Sequence, residues 1–341
     1  MRTLQLRPLR QRAGLVTGPL LLVAIACMLY SSITGSIQVP MAELPAALRQ
    51  LVEGRPESLA ASLLELRAGR ASVAFVTGAA LALAGVLMQA LLRNPLADPY
   101  ILGISAGASV GALAAMLLMA AAVTIDAAAL AGAVGVAMFL YALARRDLRQ
   151  GGAEGGTSML LLTGVIVSSL CMAIITLMLS IAPEGQLRNM VFWMIGDLAG
   201  APVRVLPWLV LAGALLFALR SARGMNVMAL HAEAAVTLGV RVGALRKGLF
   251  FVSGLLTASA VTSAGSVGFV GLIVPHACRF AFGPDHRVLI PAAVLAGGSF
   301  LVLCDTLART VVAPQQLPVG AVTAIIGAPV FLYQLHRLRR S

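Results

Sequence analysis

The residues able to do chemistry are few and far apart, and their spacing excludes more than it offers. The chain has a single lysine, Lys247, standing between Arg246 and Gly248. A phosphate-cradling loop of the form G-x-x-x-x-G-K-[ST] is therefore impossible, and the chain does not hydrolyse ATP by that route. An ion-driven carrier would place carboxylates at mid-membrane facing a cavity, and only 13 Asp and Glu are present. Asp126 falls at a loop between two apolar runs. Asp305 lies four residues before Arg309, the spacing of a helical ion pair, which is preferred over a proton relay. Cys27, Cys171, Cys278 and Cys304 lie in or beside apolar stretches, with neither C-x-x-C nor His spacing. They read as buried unpaired thiols rather than a metal or disulfide framework. His276 has no second ligand at i+4, and no His, Cys or Met cluster has the spacing to hold a bare metal. The expectation is a protein without metal, cofactor or catalytic group, which borrows its energy from elsewhere.

The elements that carry these residues follow from composition. Of 341 residues, 60% are apolar and 11% charged, with a mean hydropathy of +0.95. Soluble domains have roughly 45–50% apolar and about 25% charged residues, so this chain belongs in a membrane. A span needs ~20 apolar residues, which leaves room for about ten. Apolar runs fall near 15–33, 71–92, 100–125, 127–144, 158–181, 205–219, 248–270, 288–307 and 319–335, with a broken piece at 272–282 carrying Pro275, His276 and Arg279. The first run is too long for a cleaved signal peptide and reads as an uncleaved helix. The net charge of +12 is scattered at the ends of runs rather than gathered in a stripe, so nucleic acid is not the partner. With the first span running outward, 18 of the 25 basic residues fall on the inner side, Arg93, Arg145, Arg220 and Arg246 among them. That bias agrees with the positive-inside rule. The expected fold is an all-α polytopic membrane protein of about ten transmembrane helices with both termini cytoplasmic. One domain, 1–341, holds the spans over 15–335, outer segments at 38–70 and 182–204, and a larger inner loop at 221–247.

Four blocks carry a more specific signal. Gly78 to Gln89 is rich in small residues, which permit close helix packing. It leads into Arg93-Asn94-Pro95-Leu96-Ala97-Asp98-Pro99, a tight turn bracketed by prolines, and then into Gly103-Ile-Ser-Ala-Gly107. Further on stand Gly268 to His276 with Arg279, then Gly283 to Arg287 with Pro291, and finally Leu317 to Gly320 with Gly327-Ala-Pro329. In order and separation, over roughly 15–335, these blocks resemble the permease subunits of the iron-siderophore, haem and cobalamin family of ABC importers.

The resemblance gives roles to residues that physics alone leaves ordinary. The inner segment through Leu230, Glu233, Ala235, Leu238 and Gly239 reads as a short surface helix ended by Gly239. In the family it is the coupling helix seated in a groove of the ATPase, although His231 and Ala232 replace the usual glycine-acid pair. Arg67 and Arg70 are three apart and share a helix face, and Arg309 follows the ninth span. Alone they would snorkel to lipid phosphates; the resemblance makes them receivers for acidic residues of a periplasmic binding protein, with Gly69 in place of the usual proline. Ser168, Met172 and Thr176 on the fifth span are implied to line the pathway between two permease copies. Thr157 is implied as an inner gate, and Asn94 with Leu96 as a second.

The resulting expectation is the permease of an ATP-driven importer in the inner membrane of a bacterium. It would work as a dimer, most readily a homodimer, with two ATPases and a binding protein. The cargo would be a bulky metal chelate moved from periplasm to cytoplasm, an iron-siderophore ahead of haem or cobalamin. A secondary carrier for a hydrophobic solute, with Asp305 as its ion site, is the alternative.

Overall fold

The computed structural model describes residues 9–149, 154–230 and 232–338. The basic termini at Arg2, Arg7, Arg339 and Arg340 and the departure at His231 lie outside the described residues, as do the side chains of Thr157 and Glu233. Among the described residues every regular element is helical: thirteen α-helices and two short 3-10 turns. Seven helices are long and apolar enough to cross a membrane, and three shorter apolar helices, Ile104–Leu117, Val270–Phe282 and Val319–Gln334, accompany them.

The centre of the bundle is α3 (Leu59–Leu92), preceded by α1 (Leu9–Ile33) and the small α2 (Leu44–Val52). At 34 residues α3 is ~51 Å long, well beyond the ~30 Å of hydrocarbon, so one end projects. It begins at Leu59 rather than near 71, because Ser58 caps it: the Ser58 hydroxyl accepts the N–H of Ala61 at 3.2 Å. It is apolar on all sides from Val73 to Leu92 and is enclosed accordingly. Two glycine pairs set the depth of that enclosure. A Cβ on Gly78 would lie 2.3 Å from the carbonyl oxygen of Gly297, and one on Gly85 would lie 1.8 Å from that of Gly271. Backbones therefore touch where α3 meets α12 (His286–Thr310) and α11 (Val270–Phe282), the use small residues serve in membrane bundles.

The apolar run at 100–125 is not one helix. α4 (Ile104–Leu117) stops and α5 (Ala122–Arg149) starts afresh. Met119 takes a left-handed conformation at φ 56°, its N–H bonding to Met116 O and that of Ala120 to Ala115 O, which closes the helix end inside an apolar stretch. After α6 (Glu154–Ile181), the segment at 182–204 contains a further helix, α7 (Glu184–Ile195). α8 (Val205–Leu230) runs well past 220, so the inner loop shrinks to a turn around α9 (Ala232–Thr237) before α10 (Val242–Ala264). The broken piece at 272–282 is helical as α11, and α13 (Val319–Leu338) closes the chain. The end with Arg93, Leu230 and Asp285 is the one that the charge bias expects on the inner side, and the end with Arg70 and Asp305 the one it expects on the outer side; they are called the inner end and the outer end on that expectation.

Candidate transport and coupling sites

At the outer end two arginines, Arg70 and Arg309, meet one carboxylate. Asp305, on α12, is fully buried and takes a bidentate grip from Arg70, with Nε at 2.9 Å and Nη2 at 2.8 Å from Oδ1. Arg309 stands at 3.7 Å on the same helix. The spacing suggests Arg309 as the partner; Arg70, brought across by the packing of α3 on α12, is closer. A carboxylate held this way is not a free ion site.

Arg67 and Arg309 are turned inward, against the expectation that both are offered at the surface. The reason lies in α1, whose C-terminal carbonyls have no intrahelical partners. Arg67 donates to the carbonyls of Ile33, at 2.7 Å, and Ile37. Arg309 donates to the carbonyl of Ser31 and, at 2.7 Å, to its hydroxyl. The negative end of the α1 dipole thus lies against two guanidinium groups. Arg70 remains the most open of the three, its Nη1 reaching Gln316 at 2.8 Å. All three line an outer cleft of about 660 Å³ together with Glu65, Gln316 and the loop 198–203.

At the inner end α9 is built for display. Ala235 is buried against α8, while Leu230, Val236 and Leu238 are exposed, Leu238 by 69%. Gly239 ends the helix at φ 80°, its N–H bonding to Val236 O at 3.0 Å while the N–H of Val240 reaches Ala235 O at 2.9 Å. That pair of bonds needs a left-handed residue, the role of glycine after a helix. Leu230 at the end of α8, Val236 on α9 and Leu238 just after it thus present exposed aliphatic side chains at this end.

Midway, Ser168 and Met172 on α6 face Asp98, Tyr100, Phe269 and Leu272 across a pocket of about 600 Å³. Thr176 lies exposed one turn further out, its hydroxyl turned back to Met172 O. Asn94 and Leu96 sit in the turn below, where the Asn94 side chain accepts the N–H of Leu96 at 2.9 Å. Among the described residues α6 adds no charge to the pocket, and Val165, Ile166 and Leu170 stand exposed beside it. Asp98, in the sequence no more than part of a turn, is a site residue that sequence reasoning missed. Its carboxylate caps the next turn by accepting the N–H of Tyr100 at 2.7 Å, and burial nonetheless pushes it up to about 6. Among the described residues no group of three or more His, Cys, Asp or Glu gathers as a metal site.

Comparison with known proteins bears on what this constellation serves. Residues 21–337 match the FecCD transport family. The chain belongs to that family. It is 42% identical over 287 residues to the cobalamin import system permease protein BtuC of Halobacterium salinarum, covering 83% of this chain and 75% of that one. It is 40% identical over 281 residues to the vitamin B12 import system permease protein BtuC of Escherichia coli O9:H4, covering 81% and 84%. A solved structure of an inward-facing metal-chelate type ABC transporter superposes with a TM-score of 0.80 at 27% identity, over 95% of this chain and 99% of that one. This FecCD-family protein is a membrane-embedded permease subunit of a type II ABC importer, a transport component whose ATPase is a separate subunit.

Proposed function

We propose that the chain is one half of a permease homodimer that imports a cobalamin-like metal chelate across the inner membrane of a bacterium. The observation that carries the cargo is the identity of 40–42% over four fifths of the chain with permeases named for cobalamin and vitamin B12. It moves cobalamin ahead of the iron-siderophore that the sequence blocks alone put first. An α6 wall of hydroxyls, thioether and aliphatic groups suits a large, weakly held solute. Ten apolar helices, seven long and three short, would alternate across the membrane and return both termini to the cytoplasm, as one permease domain over 1–341. Nothing favours the secondary carrier, since Asp305 is held by Arg70.

The roles then divide by level. Leu230 and Leu238, with Gly239 and Glu233, engage the ATPase, while the buried Ala235 seats α9 on α8. Arg70 and the rim of the outer cleft receive the binding protein, with Arg67 and Arg309 holding the rim in shape. Ser168, Met172 and Thr176 line the pathway, narrowed inward by Thr157 and by Asn94 and Leu96. ATP-driven closure of the ATPases, felt at α9, shifts the dimer between outward-open and inward-open states. Vesicles reconstituted with the permease, its ATPase and its binding protein test the cargo. Uptake of radiolabelled cyanocobalamin undiminished by excess ferric hydroxamate supports the reading, and uptake of the ferric hydroxamate alone overturns it.

A further inference from the structure

The inner ends of α8 and α12 are joined by one side chain. Asn226, one turn before the end of α8, points its amide oxygen at the start of α12, where it accepts the backbone N–H of His286 at 3.0 Å and lies 2.7 Å from His286 Nδ1. Its amide nitrogen donates to Asp285 Oδ1 at 2.7 Å. The reversed amide would set oxygen against carboxylate and NH2 against an N–H, so this orientation alone satisfies every partner. Asp285 also accepts the N–H of Arg287 at 3.0 Å and thereby caps α12. His286 is buried with Nε2 unpartnered, which fits a neutral ring donating from Nδ1.

Both joined helices lead to sites at a distance. Four residues beyond Asn226, α8 ends at Leu230, whose carbonyl accepts Arg93 from the gate turn at 3.4 Å, and α9 follows at once. From His286, α12 runs 25 residues, ~37 Å, to the outer cleft, where Asp305 is locked to Arg70 of α3. Between these ends α12 is pressed backbone to backbone on α3 at Gly297 and Gly78. A displacement of α9 therefore enters the last turn of α8, and Asn226 hands it on to the start of α12, beside the second link that Arg93 makes to the end of α3.

We propose that Asn226 is a positioning residue that couples the ATPase-facing helix α9 to α12, and through α12 to the binding-protein cleft. The proposal rests on the reading of α9 as the ATPase contact. It calls for a readout that a merely structural bond would not move: stimulation of ATP hydrolysis by the binding protein in the reconstituted importer, which needs no knowledge of the cargo. In Asn226→Ala the ATPase still associates and hydrolyses ATP, while stimulation by the binding protein falls at least fivefold, the lower end of ordinary coupling between sites. Asn226→Asp sets two carboxylates together and lowers it likewise. The exchange Asn226→Asp with Asp285→Asn restores the bonds in mirror form, since the amide then at position 285 can donate to the carboxylate at position 226 while its oxygen still caps α12. The exchange returns stimulation to within twofold of the unmodified importer. Normal stimulation in Asn226→Ala, or an exchange variant that assembles as well as the unmodified importer and stays uncoupled, overturns the proposal. A separate arm, Leu238→Asp with Gly239→Asp, separates the two readings. If that variant still binds the ATPase, the role of α9 fails; if it does not, and Asn226→Ala is fully stimulated, only the clamp fails.

Discussion

Asp305 is the residue on which the outer end depends. Its carboxylate is fully buried between the guanidinium groups of Arg70 and Arg309, so Asp305→Ala leaves buried charge unpaired and should lower stability by about 3–5 kcal/mol, read as thermal unfolding in detergent. Arg67→Ala and Arg309→Ala should likewise lower thermal stability, because each bares carbonyls at the end of α1. If Arg67→Ala melted normally and only weakened binding-protein association, its role as a cap would be wrong. Asp98 supplies a pH dependence. Its carboxyl titrates at about 6 in the fold against 3.8 in the unfolded chain, so the folded state is penalised for its charge above pH 6. That penalty is relieved as the pH falls from 6 towards 4. The unmodified protein should therefore gain stability, relative to Asp98→Asn, on going from pH 7 to pH 5, and parallel melting curves for the two at both pH values would contradict it. Asp285 titrates the other way. Burial alone would raise it, but the N–H of Arg287, the Asn226 amide and the charge of Arg287 bring it below the ordinary carboxylate value, so the clamp on α12 stays intact across this range.

At the scale of elements, the bundle stands on close backbone contact. Gly85→Ala would drive a methyl to 1.8 Å from a backbone oxygen of α11 and should cost ~1–3 kcal/mol or more. Gly135, on an open face of α5, meets nothing within 4 Å, and Gly135→Ala should leave stability unchanged or raise it by up to ~1 kcal/mol. Equal melting of the two variants would contradict this account of the packing. The small-residue stretch Gly78 to Gln89 makes the first contact legible in the sequence, because only small residues let helices approach so closely. Other elements are not legible. Hydropathy stays high through Leu118 to Ala121, so the left-handed turn at Met119 leaves no mark in the run at 100–125. Helix α7 passes for part of an outer segment, since its first half, Glu184 to Asn189, is mostly polar and the apolar stretch Met190 to Ile195 is too short to read as a span. The partner of Asp305 escapes for a different reason: local spacing offers Arg309, whereas Arg70 is 235 residues away in sequence and arrives only through tertiary packing.

For the whole molecule, three of the four sequence blocks prove to carry close backbone contacts that join distant parts of the bundle. Gly78 to Gln89 and Gly268 to His276 meet at Gly85 and Gly271, while Leu317 to Gly320 packs on the end of α7, where a Cβ on Gly320 would lie 1.8 Å from Ile195 O. Such contacts fix the relative position of helices, which a permease must hold and then shift. The site is legible where a turn or short helix declares it, as at Gly239, and illegible where burial decides which charges are free, as at Arg67. Cysteines placed at Thr157 or Asn94, in a background lacking Cys27, Cys171, Cys278 and Cys304, should crosslink between two copies to a degree that changes with nucleotide state. Loss of stability in Ala variants at these positions, with no crosslink in any state, would make them helix and turn caps instead. The central claim is that this chain moves its cargo only by ATP hydrolysis in a separate subunit engaged through α9. Cyanocobalamin uptake by vesicles holding the permease, ATPase and binding protein tests it most directly, with and without Leu238→Asp and Gly239→Asp, and with either ATP or an ion gradient supplied. Uptake that requires ATP and is abolished by the paired substitution, with the permease still folded in the membrane, is the predicted result; uptake driven by an ion gradient in the absence of any ATPase would contradict it.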